Sequence, residues 1–277
     1  DLFERKLEEK NTRIYILEQD GERIGQARVD LEGQNGEISY ALCLRARGHG
    51  YSKWMLGSIE EELREQAVCR KLIAEVKREN IASQKIFETL SYIAVPADYG
   101  YVFEKKIPLF TIIMCTYNSA QTLATAVESV RNQEFGGWEM QILDNGSKDE
   151  SVEKLQEYEK SDDRIKCIYR KDNIGWGKGI SECLKTSAGG YMMFLGADDY
   201  LATEHTLTEV ADEVKKNHPQ IIFTGTYYAK YEQGEYHIIR YTLPENKVYK
   251  GDGERLIRMT ELMHNVYYNS AMHYLKI

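Results

Sequence analysis

No run of apolar residues in this 277-residue sequence approaches the roughly 18 needed to cross a bilayer. A membrane-spanning chain is therefore not expected, although peripheral association with a membrane stays open. The opening residues lack the basic, apolar and small-residue succession of a secretory signal. Positive charge is not in excess: 36 Lys and Arg against 44 Asp and Glu leave a net charge of −8. That balance speaks against nucleic-acid binding and leaves room for a local basic pocket. The five cysteines form no C-x-x-C pair, and their odd number does not suit a closed disulfide framework. They read as reduced, mostly buried thiols of a cytoplasmic protein. The six histidines lack metal-ligand spacing, so no zinc site is expected. What is present is a globular composition, 42% hydrophobic and 29% charged, with length enough for two domains. The chain opens on Asp1 in a charged segment and closes on Leu275-Lys276-Ile277, as a piece cut at both ends would.

The pattern changes near residue 106. Before it, a charged helix over 1–12 leads into strands over 14–18 and 23–30, joined by an Asp20-Gly21 turn. A strand over 37–44, a helix over 51–66, a strand over 71–77, a helix over 81–90 and a strand over 99–105 follow. The spacing of Met55, Leu56, Ile59 and Leu63 puts them on one helix face. Ile107-Pro108 then punctuates the chain, since proline forces its predecessor into extended geometry. Beyond it strands over 110–116, 139–143, 165–169, 191–195 and 220–224 alternate with helices over 120–131, 151–159, 178–185 and 205–216. Regular alternation of this kind predicts a doubly wound, largely parallel sheet. The fold class is α/β in two domains, 1–106 and 107–277.

Three predicted strand ends in the second domain carry polar, turn-prone residues: Thr116-Tyr117-Asn118-Ser119, Asp144-Asn145-Gly146-Ser147 and Asp198-Asp199. In a doubly wound sheet such ends converge on one crevice. Between them, Asn173-Ile174-Gly175-Trp176-Gly177-Lys178 is a glycine-rich approach to a helix, where backbone can near a phosphate and Lys178 can offset its charge. Each piece alone has a plainer reading. Asp144-Asn145-Gly146 suits an ordinary turn, Asp198-Asp199 suits a helix N-cap, and the glycines do not make the dinucleotide fingerprint. Their joint order on successive strand ends is hard to explain as packing.

With these residues in view, 109–225 resembles the nucleotide-binding half of a family 2 glycosyltransferase of the GT-A fold, the Rossmann-like nucleotide-diphospho-sugar transferase architecture. Phe110 to Asn118 resembles the family's first strand with its T-Y-N ending. Asp144 to Asp149 is similar to its D-[DN]-G-S-x-D segment, Asn173 to Gly177 to its N-x-G-aromatic-G segment, and Phe194 to Asp199 to its D-x-D region. The resemblance implies that Asp198 holds Mg²⁺ or Mn²⁺, that Asp144 reads the base, and that Thr116, Tyr117, Asn118, Asn173 and Lys178 bind the nucleotide sugar. Gly196 stands where the usual motif has its first aspartate, and Ser181 where relatives often have Asn. The implied chemistry is inverting transfer from a nucleoside-diphosphate sugar, UDP or dTDP, to a glycan or glycolipid acceptor. Leu262 to Tyr268 resembles an acceptor-side segment. The catalytic base is not assigned by the sequence; Glu261 and His264 are weak candidates, and the C-terminal domain reads as incomplete.

In the first domain, Arg45-Ala46-Arg47-Gly48-His49-Gly50-Tyr51-Ser52 precedes an amphipathic helix, and Asn80 to Glu88 opens another. Backbone N–H groups at a helix start can bind an anion. The pair resembles the pyrophosphate loop and cofactor-flanking helix of the Gcn5-related N-acetyltransferase (GNAT) family, in an N-terminally incomplete form. The resemblance implies acetyl-CoA bound by Arg47, Gly48, His49, Gly50, Tyr51, Ser52, Asn80 and Ser83, with Glu37 as a weak candidate base. Phe87 stands where relatives often place a general-acid Tyr. Two rival readings follow: an amino-sugar N-acetyltransferase carrying a sugar-nucleotide-binding second domain, and a non-catalytic scaffold.

Overall fold

The structure, a computed structural model, describes residues 11–219 together with strands at 221–223, 226–232, 235–241 and 273–276. The chain divides into two compact units. The first takes in residues 1–110, 136–138 and 188–190; the second comprises 111–135, 139–187 and 191–277.

The first unit is built on a six-stranded sheet in the order β1-β2-β3-β4-β6-β5, with β1 Thr12–Gln19, β2 Glu22–Glu32, β3 Asn35–Leu42, β4 Lys71–Lys77, β5 Ile93–Ala97 and β6 Gly100–Lys106. Asp20 (φ 52°) and Gly21 (φ 79°) make the β1–β2 hairpin turn; paired positive φ angles match the twist of the flanking strands. Helix α1 (Tyr51–Glu65) buries Met55, Leu56, Ile59 and Leu63, the face its spacing predicts. Helix α2 (Ile81–Thr89) buries Phe87. Two expectations need correction. Thr12 is strand rather than helix, while residues 1–10 of the expected helix lie outside the described residues. Strand β5 was not expected, because Ile93-Ala94-Val95-Pro96-Ala97 has no alternation to read; its pairing with β6 defines it.

In this sheet β3 and β4 run parallel, yet they pair only from Asn35↔Lys71 to Glu37↔Ile73. Each continues for several residues past that point without its neighbour. Backbone groups on facing strands are thereby left for another partner.

The second unit holds a sheet in the order β11-β14-β10-β7-β8-β9, with β7 Phe110–Thr116, β8 Trp138–Asp144, β9 Ile165–Tyr169, β10 Tyr191–Phe194, β11 Ile221–Phe223 and β14 His273–Lys276. Every residue of β8 is buried, and all of β7 except half-buried Cys115. Continuous burial of that kind marks strands covered on both faces. Helices α3 (Leu123–Arg131), α4 (Ser151–Ser161), α5 (Trp176–Leu184) and α6 (Thr206–Asn217) fall between the strands. Helix α3 starts three residues later than the sequence suggests, because residues 119–122 are spent in turns. Strand β9 is parallel to β8, but β14 runs antiparallel to both β10 and β11. One side of the sheet is therefore mixed. Strands β12 (Thr226–Glu232) and β13 (Glu235–Tyr241) form a separate antiparallel pair. Among the described residues no helix is long and apolar enough to cross a membrane.

Candidate active site

The loops that follow β7 and β8 are bound to each other by a run of hydrogen bonds. Asn145 N donates to Thr116 O at 2.8 Å, and Asn118 N to Ser147 Oγ at 2.8 Å. Lys148 N donates to Asn118 Oδ1 at 2.7 Å, Ser119 N to Ser151 Oγ at 2.9 Å, and Ala120 N to Asp149 Oδ2 at 3.0 Å. Asn118 sits at φ 50°, a conformation that Asn accepts at less cost than most side chains. Hydrogen bonds from the Ser151 and Ala120 side hold the Asp149 carboxyl below the usual carboxylate range. The glycine-rich loop joins the same assembly through Ile174 N, which donates to Asn145 Oδ1 at 2.8 Å.

Asp144 lies beneath these loops at 1% exposure. Its Oδ2 accepts from Gly146 N and Ser147 N, both at 3.1 Å. Its Oδ1 is buried with no partner, and so is Oγ1 of Thr116 at the end of neighbouring β7. An unpaired buried polar atom costs about 1–3 kcal/mol. Two such atoms lie on adjacent strand ends.

A cavity of about 640 Å³ opens beside them, lined by Tyr117, Asn118 and Asp198 and also by Cys115, Gln121, Thr122, Asp149 and Trp176. Tyr117, Asn118 and Asp198 are thus brought together. Thr116, Asp144, Asn173 and Lys178 do not line this cavity. Asn173 is exposed and turns its Oδ1 back to accept from Gly175 N at 2.9 Å, which shapes its own loop. Lys178 is exposed in the first turn of α5, a turn that carries no acidic residue. A lone cation there opposes the helix dipole and would be relieved by a bound anion.

Trp176 lines the cavity without being among the residues expected to bind the nucleotide sugar. Its sequence signal is a large aromatic between two glycines; the structure leaves it 58% exposed, with its ring 5.9 Å from that of Phe194. Cys115, Gln121, Thr122 and Asp149 carry no comparable signal, because only the meeting of the loops puts them there. Asp198 is exposed at the cavity, whereas burial first, and then the charge of Asp198, raises the Asp199 carboxyl. Hard carboxylate oxygens facing a polar cavity are the donors that Mg²⁺ or Mn²⁺ takes, so the residues fit such an ion. Glu261 and His264 lie outside the described residues.

In the first unit, Gly48 (φ 80°) and Gly50 (φ 81°) turn the chain into α1, with Gly50 as its N-cap. Arg47 Nε donates to Leu42 O at 3.2 Å, while Arg45 pairs with Glu22. His49 and Tyr51 line a second cavity of about 300 Å³ with Gln19, Asp20 and Arg45, and Tyr51 donates to Gln19 Oε1 at 2.6 Å. Arg47, Gly48, Gly50 and Ser52 do not line it. Asn80 caps α2 by accepting from Ser83 N at 3.2 Å, and Ser83 Oγ lies 3.1 Å from the Tyr40 hydroxyl. Glu37 is exposed at the last β3–β4 pair, where the two strands part. Phe87 is a core residue, stacked on Phe103 at 5.5 Å and edge-on to Tyr92 at 4.9 Å.

All five cysteines are free thiols; Cys43 is exposed and Cys115 and Cys167 are half-buried. Burial pushes Cys69 up to about 11 and Cys167 and Cys183 up to about 12. Since the thiolate is the reactive form, iodoacetamide at about pH 8 should alkylate Cys43 well before those three. A mass-spectrometric time course reads the order directly, and early labelling of Cys167 would contradict it.

Residues 111–274 match the profile of Glycosyl transferase family 2, and residues 1–92 that of the Acetyltransferase (GNAT) family. The chain is similar to TuaG of Bacillus subtilis strain 168, a glycosyltransferase named for teichuronic acid biosynthesis, at 37% identity over 92 residues, 33% of this chain and 36% of TuaG. It is similar to the glycosyltransferase EpsE of the same strain at 31% identity over 119 residues, 43% of each chain. This chain thus spans less than half the length of these relatives. The crystal structure of S. aureus TarS 1-349 covers 40% of this chain and 34% of its own at 26% identity, with a TM-score of 0.38.

Proposed function

This chain belongs to glycosyl transferase family 2, and from that premise we propose that it transfers a sugar from a nucleoside-diphosphate sugar, UDP or dTDP, to a glycan or glycolipid acceptor in surface-glycan synthesis. The observation that carries this reading is the buried, half-satisfied Asp144 carboxylate beneath three interlocked loops, next to a cavity that Asp198 enters.

Each residue then has a task. Asp144 Oδ1 accepts a donor group of the base, and Thr116 Oγ1 supplies a second polar contact. Tyr117 and Asn118 flank the nucleotide. Backbone N–H groups at the start of α5 and the Lys178 ammonium offset diphosphate charge. A Mg²⁺ or Mn²⁺ held at Asp198 would neutralise the departing nucleoside diphosphate. The acceptor hydroxyl attacks the anomeric carbon from the face opposite the leaving group, giving inversion, and a carboxylate or imidazole takes its proton. Glu261 and His264 stay the candidates for that base. Its absence would cost about 10²–10⁴ in rate.

The first unit supports a second reading beside the first. Parallel strands β3 and β4 part after Glu37 and Ile73, which leaves unpaired backbone where a thioester could be held. Acetyl-CoA bound there, with the loop 47–52 on its pyrophosphate, would make this unit an acetyltransferase acting on an amine such as an amino sugar. Phe87 cannot donate a proton, so that chemistry would need another acid.

Thermal denaturation against UDP, dTDP and GDP, each with and without Mn²⁺, and against acetyl-CoA, separates these readings. A ligand at a hundredfold excess over its Kd adds about 2.7 kcal/mol of stability. A Mn²⁺-dependent response to UDP or dTDP is the expected result. A response to acetyl-CoA alone would favour the acetyltransferase, and silence throughout would leave the scaffold.

A further inference from the structure

Among the described residues that line the cavity beside Asp198 there is no Lys, Arg or His, and the charged ones are Asp149 and Asp198. Asp149 ties two loops together: its Oδ2 accepts from Ala120 N at 3.0 Å and its Oδ1 from Ser151 N at 3.1 Å. Hydrogen bonds donated to a carboxylate favour its ionised form, so a fixed negative charge stands in the wall. A divalent cation at Asp198 would be offset by the diphosphate, which leaves Asp149 uncompensated.

Trp176 lines the same cavity. Its ring packs at 58° against Phe194, the last residue of β10. That contact holds the indole, yet the residue stays exposed and its N–H has no acceptor among the described residues. Gly175 and Gly177 have open space where a Cβ would stand, so the backbone on either side of the ring is bare. Position decides what this surface meets. In the sheet, β7 lies between β10 and β8. At a strand spacing of about 4.8 Å, β10 is roughly 10 Å from the strand that ends in Asp144. Trp176 therefore stands on the Asp198 side of the crevice, away from the residue that takes the base. A donor with its base at Asp144 and its diphosphate at Asp198 brings its sugar to this side. A pyranose presents C–H groups on a ring face and hydroxyls around the edge. An indole with a free N–H matches that pattern, an apolar face with a polar handle.

We infer that the donor sugar is an uncharged pyranose laid against the Trp176 indole, and that the carboxylate-lined cavity selects against a uronic-acid donor. The inference rests on the transferase reading above and deepens it by naming the class of sugar. The indole supplies apolar contact, while the fixed charge of Asp149 repels any further carboxylate brought into the same cavity.

The test is calorimetry on the whole chain with Mn²⁺ present, using UDP, UDP-glucose, UDP-N-acetylglucosamine and UDP-glucuronate. The tighter of the two neutral donors should bind at least about fivefold better than UDP-glucuronate, because like-charge juxtaposition is costly in a binding site. Trp176→Ala should weaken that neutral donor about tenfold, as truncation of a contacting Trp does, and leave UDP within about twofold. Trp176→Phe keeps a flat ring and should recover most of the loss. Circular dichroism melting verifies that Trp176→Ala folds; otherwise Trp176→Leu, which keeps apolar bulk against Phe194, takes its place. A preference over UDP-glucuronate below about fivefold overturns the inference. So does a Trp176→Ala loss that UDP shares, which would put the indole on the nucleoside, or no loss, or no recovery with Phe. In each of these cases binding of UDP with Mn²⁺ leaves the transferase reading intact. A parent that binds neither UDP nor dTDP overturns both.

Discussion

Asp144→Asn should lower affinity for UDP by about 10–100-fold with little change in melting temperature. The amide oxygen of the variant can still accept from Gly146 N and Ser147 N, so the turn survives. Its NH₂ group then occupies the place of the unpartnered Oδ1. Under the proposed function a uracil or thymine ring would offer an N–H there, and two donors facing each other would lose a hydrogen bond to a charged group, worth about 1.5–3 kcal/mol. Calorimetry with UDP reads the effect. Undiminished binding would reduce Asp144 to a turn residue, the plainer reading of Asp-Asn-Gly. Tighter binding would mean that the base presents an acceptor.

A second large effect separates two glycines that look alike in the sequence. Gly146 sits at φ 82°, and a Cβ there would lie 2.9 Å from Lys171 O and 3.1 Å from its carbonyl carbon. Gly146→Ala combines left-handed strain of about 1–2 kcal/mol with overpacking of about 1–3 kcal/mol. It should lower the melting temperature and push apart the loops after β8 and β9, and nucleotide affinity should fall with them. Gly177, in the first turn of α5, has open space at its Cβ position and an ordinary φ. Gly177→Ala should therefore stabilise the helix by about 0.5–1 kcal/mol. If the start of α5 is where a diphosphate approaches, the same methyl group should weaken UDP binding while raising the melting temperature. A variant that gains stability and keeps full affinity would remove α5 from the site.

Local chemistry was enough for much of this architecture. The Asp20-Gly21 hairpin follows from the ease with which those residues take positive φ, and the buried face of α1 follows from a spacing that no other helix rotation satisfies. The strand ends at Thr116 and Asp144 were legible because apolar runs stop on polar, turn-prone residues there, whereas β10 stops at Phe194 and Asp198 lies in the turn four residues beyond it. Other features were not legible. Strand β5 exists through its pairing with β6, and β14 through insertion between β10 and β11; neither five nor four residues carry a period that announces a strand. Asn80 carries a motif position, yet its side-chain oxygen is engaged in capping α2. Trp176 reads as one aromatic of a loop until the cavity shows which surface it borders.

By itself the sequence determined the two-part α/β organisation, the family, and the polar strand ends at Thr116 and Asp144, since each rests on residues a few positions apart whose torsional and burial preferences act locally. Only the tertiary structure decided that the loops after β7 and β8 lock together, that Oδ1 of Asp144 is left without a partner, and that Trp176 and Asp198 border one cavity. These depend on which distant backbone groups meet and on the space left when they do, and no local preference of the chain encodes that.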